Sequence, residues 1–462
     1  MPGNNISVVV LAAGLGTRMK SDLPKVLHKF DGIPIIVRVL KTALALKPSK
    51  TIVVVGHKGE LVQEAVSAWN KKEGSGNKIR FVSQKLLKGS GRAVIEALSA
   101  EPVSGAVMIL SGDVPLLNTA TLKAMAKKFF SSNSDCLVLS CEVQDAKSYG
   151  RIIRNSDGEF KAIVEASDAS AGELKIKEIN SGVYMFRASS LKKALSSLRP
   201  QGPKKEYYLT DCISAIASAG GKTSLYKIGD EIEITGVNSK KELSDLYIAA
   251  NKRKIFSLYE SGVNIIDPSS VYVSNEAVIG RDSVIFPGVF IRGKSKIGRG
   301  CIIGPYCLIE DCEIADGCEI KPFSCLYSSR AETGVSVGPF SHLRPETLLR
   351  EKVKVGNFSE IKKSVIGRGS KVPHLSYVGD TEMGEKVNVG AGSITCNYDG
   401  VRKNKTFIGD GAFIGSNTNL VAPVKVGKRA LIAAGSTITE DVPDKALALA
   451  RARQVVKTKR FK

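Results

Sequence analysis

Between Val278 and Glu310 the chain reads VIGRDSVIFPGVFIRGKSKIGRGCIIGPYCLIE, with isoleucine at Ile279, Ile285, Ile291, Ile297, Ile303 and Ile309. The same stride of six returns near the end as Ile408, Ile414, Leu420, Val426, Ile432 and Ile438. An amphipathic helix repeats about every 3.6 residues and a half-buried strand about every 2, so neither produces it. A parallel β-helix with three short faces per coil does, by placing one aliphatic at each inner corner. The second half of the chain is therefore expected to be a prism with its chemistry on the surface.

The ladder slips after Ile309. Ile314, Ile320 and Leu326 follow with one step of five, and a longer insertion precedes Val337, Leu343, Leu349 and Val355. Further slips fall between Ile361 and Ile366 and between Val378 and Met383, and Asn397-Tyr398-Asp399-Gly400 lies in a long gap between Val389 and Ile408. Departures from a solenoid repeat map to loops, where binding groups sit. These stretches hold Arg344, Asn357, Glu360, Lys362, His374, Tyr377, Asn388, Asn397, Tyr398 and Lys403. His374 beside Glu360 and several cations reads as a base, because an imidazole fixed by a carboxylate can take a proton from an attacking amine. His342 is the rival base.

At 462 residues the chain is too long for one ordinary core, so at least two domains are expected. The formal net charge is +22, which suits nucleic acid, a membrane surface or small anionic substrates. The basic residues are spread out, and the one dense run is the tail from Arg451 to Lys462, so no nucleic-acid groove is expected. No apolar run reaches the roughly 18 residues of a membrane span, and the first residues lack a basic then apolar pattern, so the expected location is cytosolic. Of the nine cysteines, five form a cluster from Cys301 to Cys325, and four of those sit two residues before a ladder residue. They read as small apolar filler.

In the first half, a strand from Ile6 to Leu11 runs into Ala12-Ala13-Gly14-Leu15-Gly16-Thr17-Arg18-Met19. Glycines after a strand let backbone N–H groups approach a phosphate. A dinucleotide fingerprint would need Gly at Met19, and a P-loop would need Gly-Lys-Ser/Thr after its second Gly. What remains is a glycine turn with Arg18 and Pro24-Lys25, two cations suited to a triphosphate attacked at its α-phosphorus. Strand-like and helical stretches alternate from Ile35 to Leu110, predicting a doubly wound α/β sheet with ligands at the strands' carboxyl ends. Asp113, in Ser111-Gly112-Asp113-Val114-Pro115, stands at one such end, where Mg²⁺ wants a carboxylate beside substrate phosphates.

Leu11 to Met19, Leu23-Pro24-Lys25 and Gly112 to Leu116 together resemble the sugar-phosphate nucleotidyltransferases. With Gln84, Gly89-Ser90, Gly150-Arg151, Glu165, Asn180-Ser181-Gly182 and Gly236-Val237-Asn238, the first half is similar to one half of a bacterial bifunctional family. Its members are N-acetylglucosamine-1-phosphate uridylyltransferases and glucosamine-1-phosphate acetyltransferases, and the second half resembles the acetyltransferase domain through to the tail. The resemblance implies that Leu11, Ala12, Ala13, Gly14, Gln84, Gly89 and Ser90 hold uridine and its phosphates. Arg18 and Lys25 would neutralise the UTP triphosphate, Gly150, Glu165 and Asn180 would grip the acetylated sugar, and Asp113 with Asn238 would hold Mg²⁺. In the second half it implies Arg344, Lys362 and Lys403 on the phosphate of glucosamine-1-phosphate, and Tyr377 and Asn388 on the sugar. His374 would be the base with Glu360 its orienting partner, and Ala391, Asn397, Tyr398, Ser416, Ala434 and Arg451 would contact acetyl-CoA.

By the same resemblance the coil is left-handed, against the usual right-handed crossover, and three prisms form a homotrimer whose acetyl sites lie between subunits. Leu15, Arg92, Ser111 and His342 depart from the residues frequent in that family. The expected boundaries are 1–240 for the uridylyltransferase domain, 241–261 for a linker helix and 262–462 for the β-helix with its tail. A different reading is a single-activity nucleotidyltransferase, such as a glucose-1-phosphate adenylyltransferase, whose β-helix only regulates or oligomerises. A third, a nucleic-acid scaffold, predicts salt-sensitive duplex binding.

Overall fold

The structure, a computed structural model, describes residues 5–73, 76, 78–201 and 205–458. The last four residues of the basic tail lie outside the described residues. Two compact units divide the chain, Met1–Ala249 and Ala250–Lys462, with the division inside the helix Lys240–Glu260.

The first unit is built on a nine-stranded sheet. Its main order runs from Thr223–Ile228 through Cys136–Glu142, Glu178–Arg187, Ala106–Ser111, Ile6–Ala12 and Lys50–Val55 to Ile79–Ser83. Apolar runs such as Val8-Val9-Val10 are buried on both faces: Val8 and Val10 pack in one core, and Val9 in the other. A strand covered on both sides cannot alternate polar with apolar, which is why Ile6–Ala12 reads as a continuous apolar segment. Glu178–Arg187 runs antiparallel to both its neighbours in that order. It follows the hairpin Arg151–Arg154 and Phe160–Val164 rather than a helical crossover, so its direction is free to reverse.

From Ile6–Ala12 the chain builds outward on both sides, pairing in parallel with Lys50–Val55 and with Ala106–Ser111. That reversal of winding opens a crevice at the carboxyl ends of Ile6–Ala12 and Ala106–Ser111. The glycine turn and Asp113 both begin there.

The second unit is a prism of three parallel sheets, with 11, 10 and 9 strands of two or three residues each. Partners in a sheet are one coil apart, as in Val284↔Ile302 and Ile302↔Glu319. The ladder residues point inward from the strands themselves rather than from the corners, and they form one continuous core with Cys301, Cys307, Cys312 and Cys318. Ile255 and Leu258 of the helix Lys240–Glu260 join that core at its amino-terminal end.

The structure corrects the reading of the slips. No insertion precedes Val337, because Ala331 is a small buried rung between Leu326 and Val337. The five-residue steps to Ile314, Ala331, Ile366 and Met383 all enter the same nine-stranded sheet, so they are one tighter corner repeated. Only the stretch between Ile394–Cys396 and Thr406–Ile408 is a true added loop.

Another corner carries bulky residues in the left-handed backbone region: Tyr306, Phe323, Phe340, Phe358 and Leu375, with φ of 50 to 59°. Such residues cost of the order of 1 kcal/mol or more each there. Successive rings from Tyr306 to Phe358 stack with centroids 4.9 to 5.2 Å apart, which offsets part of that cost.

Candidate active sites

In the first unit the strand ends bring three predicted residues to one point. Lys25 Nζ lies 2.5 Å from Asp113 Oδ2 and donates to Asn238 Oδ1 at 2.9 Å. All three are drawn in from distant parts of the chain, and the Lys25 and Asp113 side chains are only 14% and 17% exposed. The main chain beneath these two oxygens is tied down. Val237 N–H donates to Asp113 O at 3.0 Å, and Asn238 N–H donates to Glu242 Oε2 at 2.7 Å. A carboxylate and an amide oxygen aimed at one cation are a donor set for a hard divalent ion, so these residues fit Mg²⁺.

The glycine turn lies against the same point. Gly16 has φ +63°, and a Cβ there would come within 2.8 Å of Lys25 Cβ, so the close approach of turn to lysine requires glycine. Arg18, in the short helix Thr17–Met19, is exposed and makes no side-chain bond among the described residues. Leu11 and Ala12 end the first strand, Ala13 follows it directly, and Gly14 opens onto space that would leave a Cβ without contact. The buried Gln84 donates to Leu86 O at 3.0 Å and Gly89 O at 3.1 Å, fixing its amide beside the turn that starts the helix Ser90–Ala100. Ser90 Oγ accepts from Leu209 N–H at 3.2 Å.

Gly150, Glu165 and Asn180 also converge. Asn180 N–H donates to Gly150 O at 2.9 Å, and a Cβ on Gly150 would stand 3.4 Å from Glu165 Oε2. Asn180 Nδ2 donates to Tyr184 Oη at 2.7 Å, and Thr210 Oγ1 donates to Glu165 Oε1 at 3.1 Å. Burial holds the Glu165 carboxyl above its ordinary range, with Asp168 and Asp211 adding to the effect and the Thr210 hydrogen bond opposing it.

In the second unit the parallel register stacks the polar residues in columns. One face carries Glu360 opposite His342 and Tyr377, with Arg344 and Lys362 one residue past inward rungs. The predicted set therefore sits on outward positions of regular coils, not chiefly at breaks in the ladder. Lys403, from the added loop, comes close enough to Lys362 to lower the Lys362 ammonium below its usual range. Exposure loss and Arg344 act the same way, and Asp380 opposes them. Cations that raise each other's energy in this way make a site for a polyanionic group such as phosphate.

The orienting partner of His374 is Asn357, not Glu360. His374 Nδ1 lies 2.5 Å from Asn357 Oδ1, whereas Glu360 accepts from Arg344 Nη1 at 2.8 Å and stands 3.9 Å from His342 Nδ1. Register is the reason: Asn357 and His374 occupy the same corner of successive coils, as the bond from Leu375 N–H to Asn357 O records, while Glu360 is on the flat face. An amide oxygen only accepts, so this contact puts the proton of the neutral imidazole on Nδ1 and leaves Nε2 of the exposed ring with its lone pair free.

Below that corner Ala391, Ser416, Ala434 and Arg451 form one column. Asn417 N–H donates to Ala391 O, Gly435 N–H to Ser416 O, and Arg451 Nη1 to Ala434 O, each at 2.8 Å. Asn397 is buried on the neighbouring face, where its Nδ2 donates to Asp380 Oδ2 at 2.5 Å and lies 3.5 Å from Tyr377 Oη. Tyr398 is exposed in the added loop and bonded to Gly400 O. Asn388 is set apart: its strand belongs to the 11-stranded sheet, whereas Tyr377 and Lys362 belong to the 10-stranded one. Sequence reasoning passed over Asp380 and gave Asn357 no role. The signal for Asn357 was its place 17 residues before His374, one coil away in register.

The family of MobA-like NTP transferase domains matches residues 8–228. Bacterial transferase hexapeptide repeats match residues 276–311 and 405–440, and the second unit is accordingly a left-handed parallel β-helix. Over nearly the whole length the chain is similar to proteins named bifunctional protein GlmU. That of Carboxydothermus hydrogenoformans is 46% identical over 449 residues, covering 97% of this chain and 98% of the relative. Those of Caldanaerobacter subterraneus subsp. tengcongensis and Heliobacterium modesticaldum are each 47% identical, covering 97% and 98% of this chain and 96% of either relative.

Proposed function

The chain belongs to the bifunctional GlmU family, and from that premise we propose how its two units divide the synthesis of UDP-N-acetylglucosamine. It is both an acetyltransferase and a nucleotidyltransferase: acetyl passes from acetyl-CoA to the amine of glucosamine-1-phosphate, and the product's phosphate then attacks the α-phosphorus of UTP, releasing pyrophosphate. The single-activity reading gives an inert scaffold no use for a base with a free Nε2 beside three cations.

In the second unit Arg344, Lys362 and Lys403 bind the sugar's phosphate, and Tyr377 and Asn388 hold its ring. His374 Nε2 takes the proton as the amine attacks the thioester carbonyl, with Asn357 fixing the ring. The column of Ala391, Ser416, Ala434 and Arg451, with Asn397 and Tyr398, contacts acetyl-CoA. The observation that carries this half is the His374–Asn357 pair one corner away from the Lys362 and Lys403 cations.

In the first unit Leu11 to Gly14, Gln84, Gly89 and Ser90 hold the nucleotide, and Gly150, Glu165 and Asn180 orient the acetylated sugar. Arg18 and Lys25 neutralise the triphosphate. The divalent metal the reaction needs is Mg²⁺, held by Asp113 and Asn238, and when bound it offsets charge that builds on the reacting phosphates. The placement of Asn388 on a different face from Tyr377 supports a cyclic trimer in which adjacent prisms complete each acetyl site.

Supplying each pair of substrates separately to the purified chain tests this reading. Asp113→Ala should abolish uridylyl transfer and leave acetyl transfer, and His374→Ala should do the reverse. Absence of thiol release from acetyl-CoA by the intact protein would refute the acetyl half.

A further inference from the structure

Lys25 stands where a metal ion would. Its ammonium bridges Asp113 Oδ2 at 2.5 Å and Asn238 Oδ1 at 2.9 Å, the two oxygens assigned above to Mg²⁺. A divalent ion bound to both oxygens would stand within the space that Nζ fills, since oxygen ligands lie roughly 2.0–2.6 Å from such ions. The main chain of both residues is tied down, by Val237 N–H on the Asp113 carbonyl and by Glu242 on Asn238 N–H, and each side chain is short. The movable member is Lys25, whose charge ends a flexible four-carbon stem.

We propose that Lys25 is an internal counter-cation that closes the metal site until nucleotide arrives, so that divalent metal and triphosphate bind with positive coupling. Without nucleotide, a metal ion must displace the ammonium, which then loses both oxygen partners in a largely buried setting. With a triphosphate present, the displaced ammonium has phosphate oxygens to pair with. Metal entry and the delivery of Lys25 to the phosphates are then a single exchange. By linkage, the factor by which nucleotide tightens metal binding equals the factor by which metal tightens nucleotide binding. Gly16 belongs to the same device: a Cβ there would press on Lys25 Cβ at 2.8 Å, so glycine leaves the stem room to swing.

This inference rests on Asp113 and Asn238 being the metal ligands, and the test separates the two claims. Mn²⁺ serves as the probe, its binding followed by loss of the free-ion electron paramagnetic resonance signal, with and without a UTP analogue carrying a methylene bridge between the α- and β-phosphorus. In the unaltered chain the analogue should tighten Mn²⁺ binding by about tenfold or more, a typical coupling. Lys25→Met should tighten Mn²⁺ binding in the absence of nucleotide by a similar factor and reduce the coupling to little more than unity. Equal or weaker Mn²⁺ binding by Lys25→Met without nucleotide overturns the proposal. Survival of Mn²⁺ binding in Asp113→Ala instead overturns the ligand assignment on which it rests.

A measurement on the unaltered protein guards against a poorly folded variant. Acetic anhydride labelling of Lys25, read by peptide mass spectrometry, should rise with Mn²⁺ alone and fall when the analogue is added. Labelling indifferent to Mn²⁺ also overturns the proposal.

Discussion

At the scale of single residues, the acetyl site depends on which atom of His374 is held. Because Asn357 Oδ1 accepts from Nδ1, Asn357→Ala releases the ring, and acetyl-transfer kcat should fall by about 10- to 100-fold, part of what a positioned base contributes. Glu360→Gln should cost less in kcat and show mainly as a weaker hold on Arg344, raising KM for the sugar phosphate. Steady-state kinetics of the two variants decide the matter, and a larger kcat loss in Glu360→Gln would restore the carboxylate as the orienting partner. In the first unit, Glu165 has a folded pKa above its unfolded value, chiefly through burial. The folded state then binds more protons than the unfolded across the window between those values, so stability falls as pH rises through it. Calorimetry of Glu165→Gln should therefore show the first unit melting higher than the parent above that window. The two should converge below the ordinary carboxylate range, while uridylyl transfer is lost.

At the scale of elements, each coil of the prism is stabilised by its inward rung and by the coils on either side. Ile309 is fully buried between Ile291 and Leu326 in register. Ile309→Ala should cost the second unit about 2–5 kcal/mol, measured by denaturant unfolding. Because repeat stability is close to a sum of local terms, uridylyl transfer by the first unit should remain unchanged. The tolerance of Ala331 as a rung does not predict otherwise. Its coil turns one residue sooner and the large Ile314 and Leu349 stand in register on either side of it, a setting that a single truncation at Ile309 does not reproduce.

At the scale of the whole molecule, the two units have separate cores and separate chemistry, and no helix among the described residues is long and apolar enough to cross a membrane. The proposed trimer makes a prediction that no monomeric site shares. Asn388→Ala and Lys362→Ala chains, each inactive in acetyl transfer alone, should recover activity when coexpressed. If adjacent subunits supply the two faces at random, about a quarter of the sites are intact. Mass measurement in solution should show three chains per particle, and failure of the mixed preparation to exceed its parents would place both residues in a site of one chain.

The stride of six from Ile279 was enough to give the prism, because a three-faced coil is a short-range geometry that every turn of sequence must obey. The apolar runs and glycine turns of the first half likewise gave the wound sheet, since strand burial and phosphate-approaching turns are local demands. Asp113, Lys25 and Asn238 could each be picked out singly by the company of Gly112, Pro24 and Gly236. Their meeting at one point could not, because it depends on how the strand ends and the start of Lys240–Glu260 fold together. The same limit explains His374. Residue type nominated Glu360, but only the stacking of coils, which sets corner over corner and face over face, gave the imidazole to Asn357. Periodicity fixes what each residue's side chain faces, and the packing of distant segments decides which of those side chains touch.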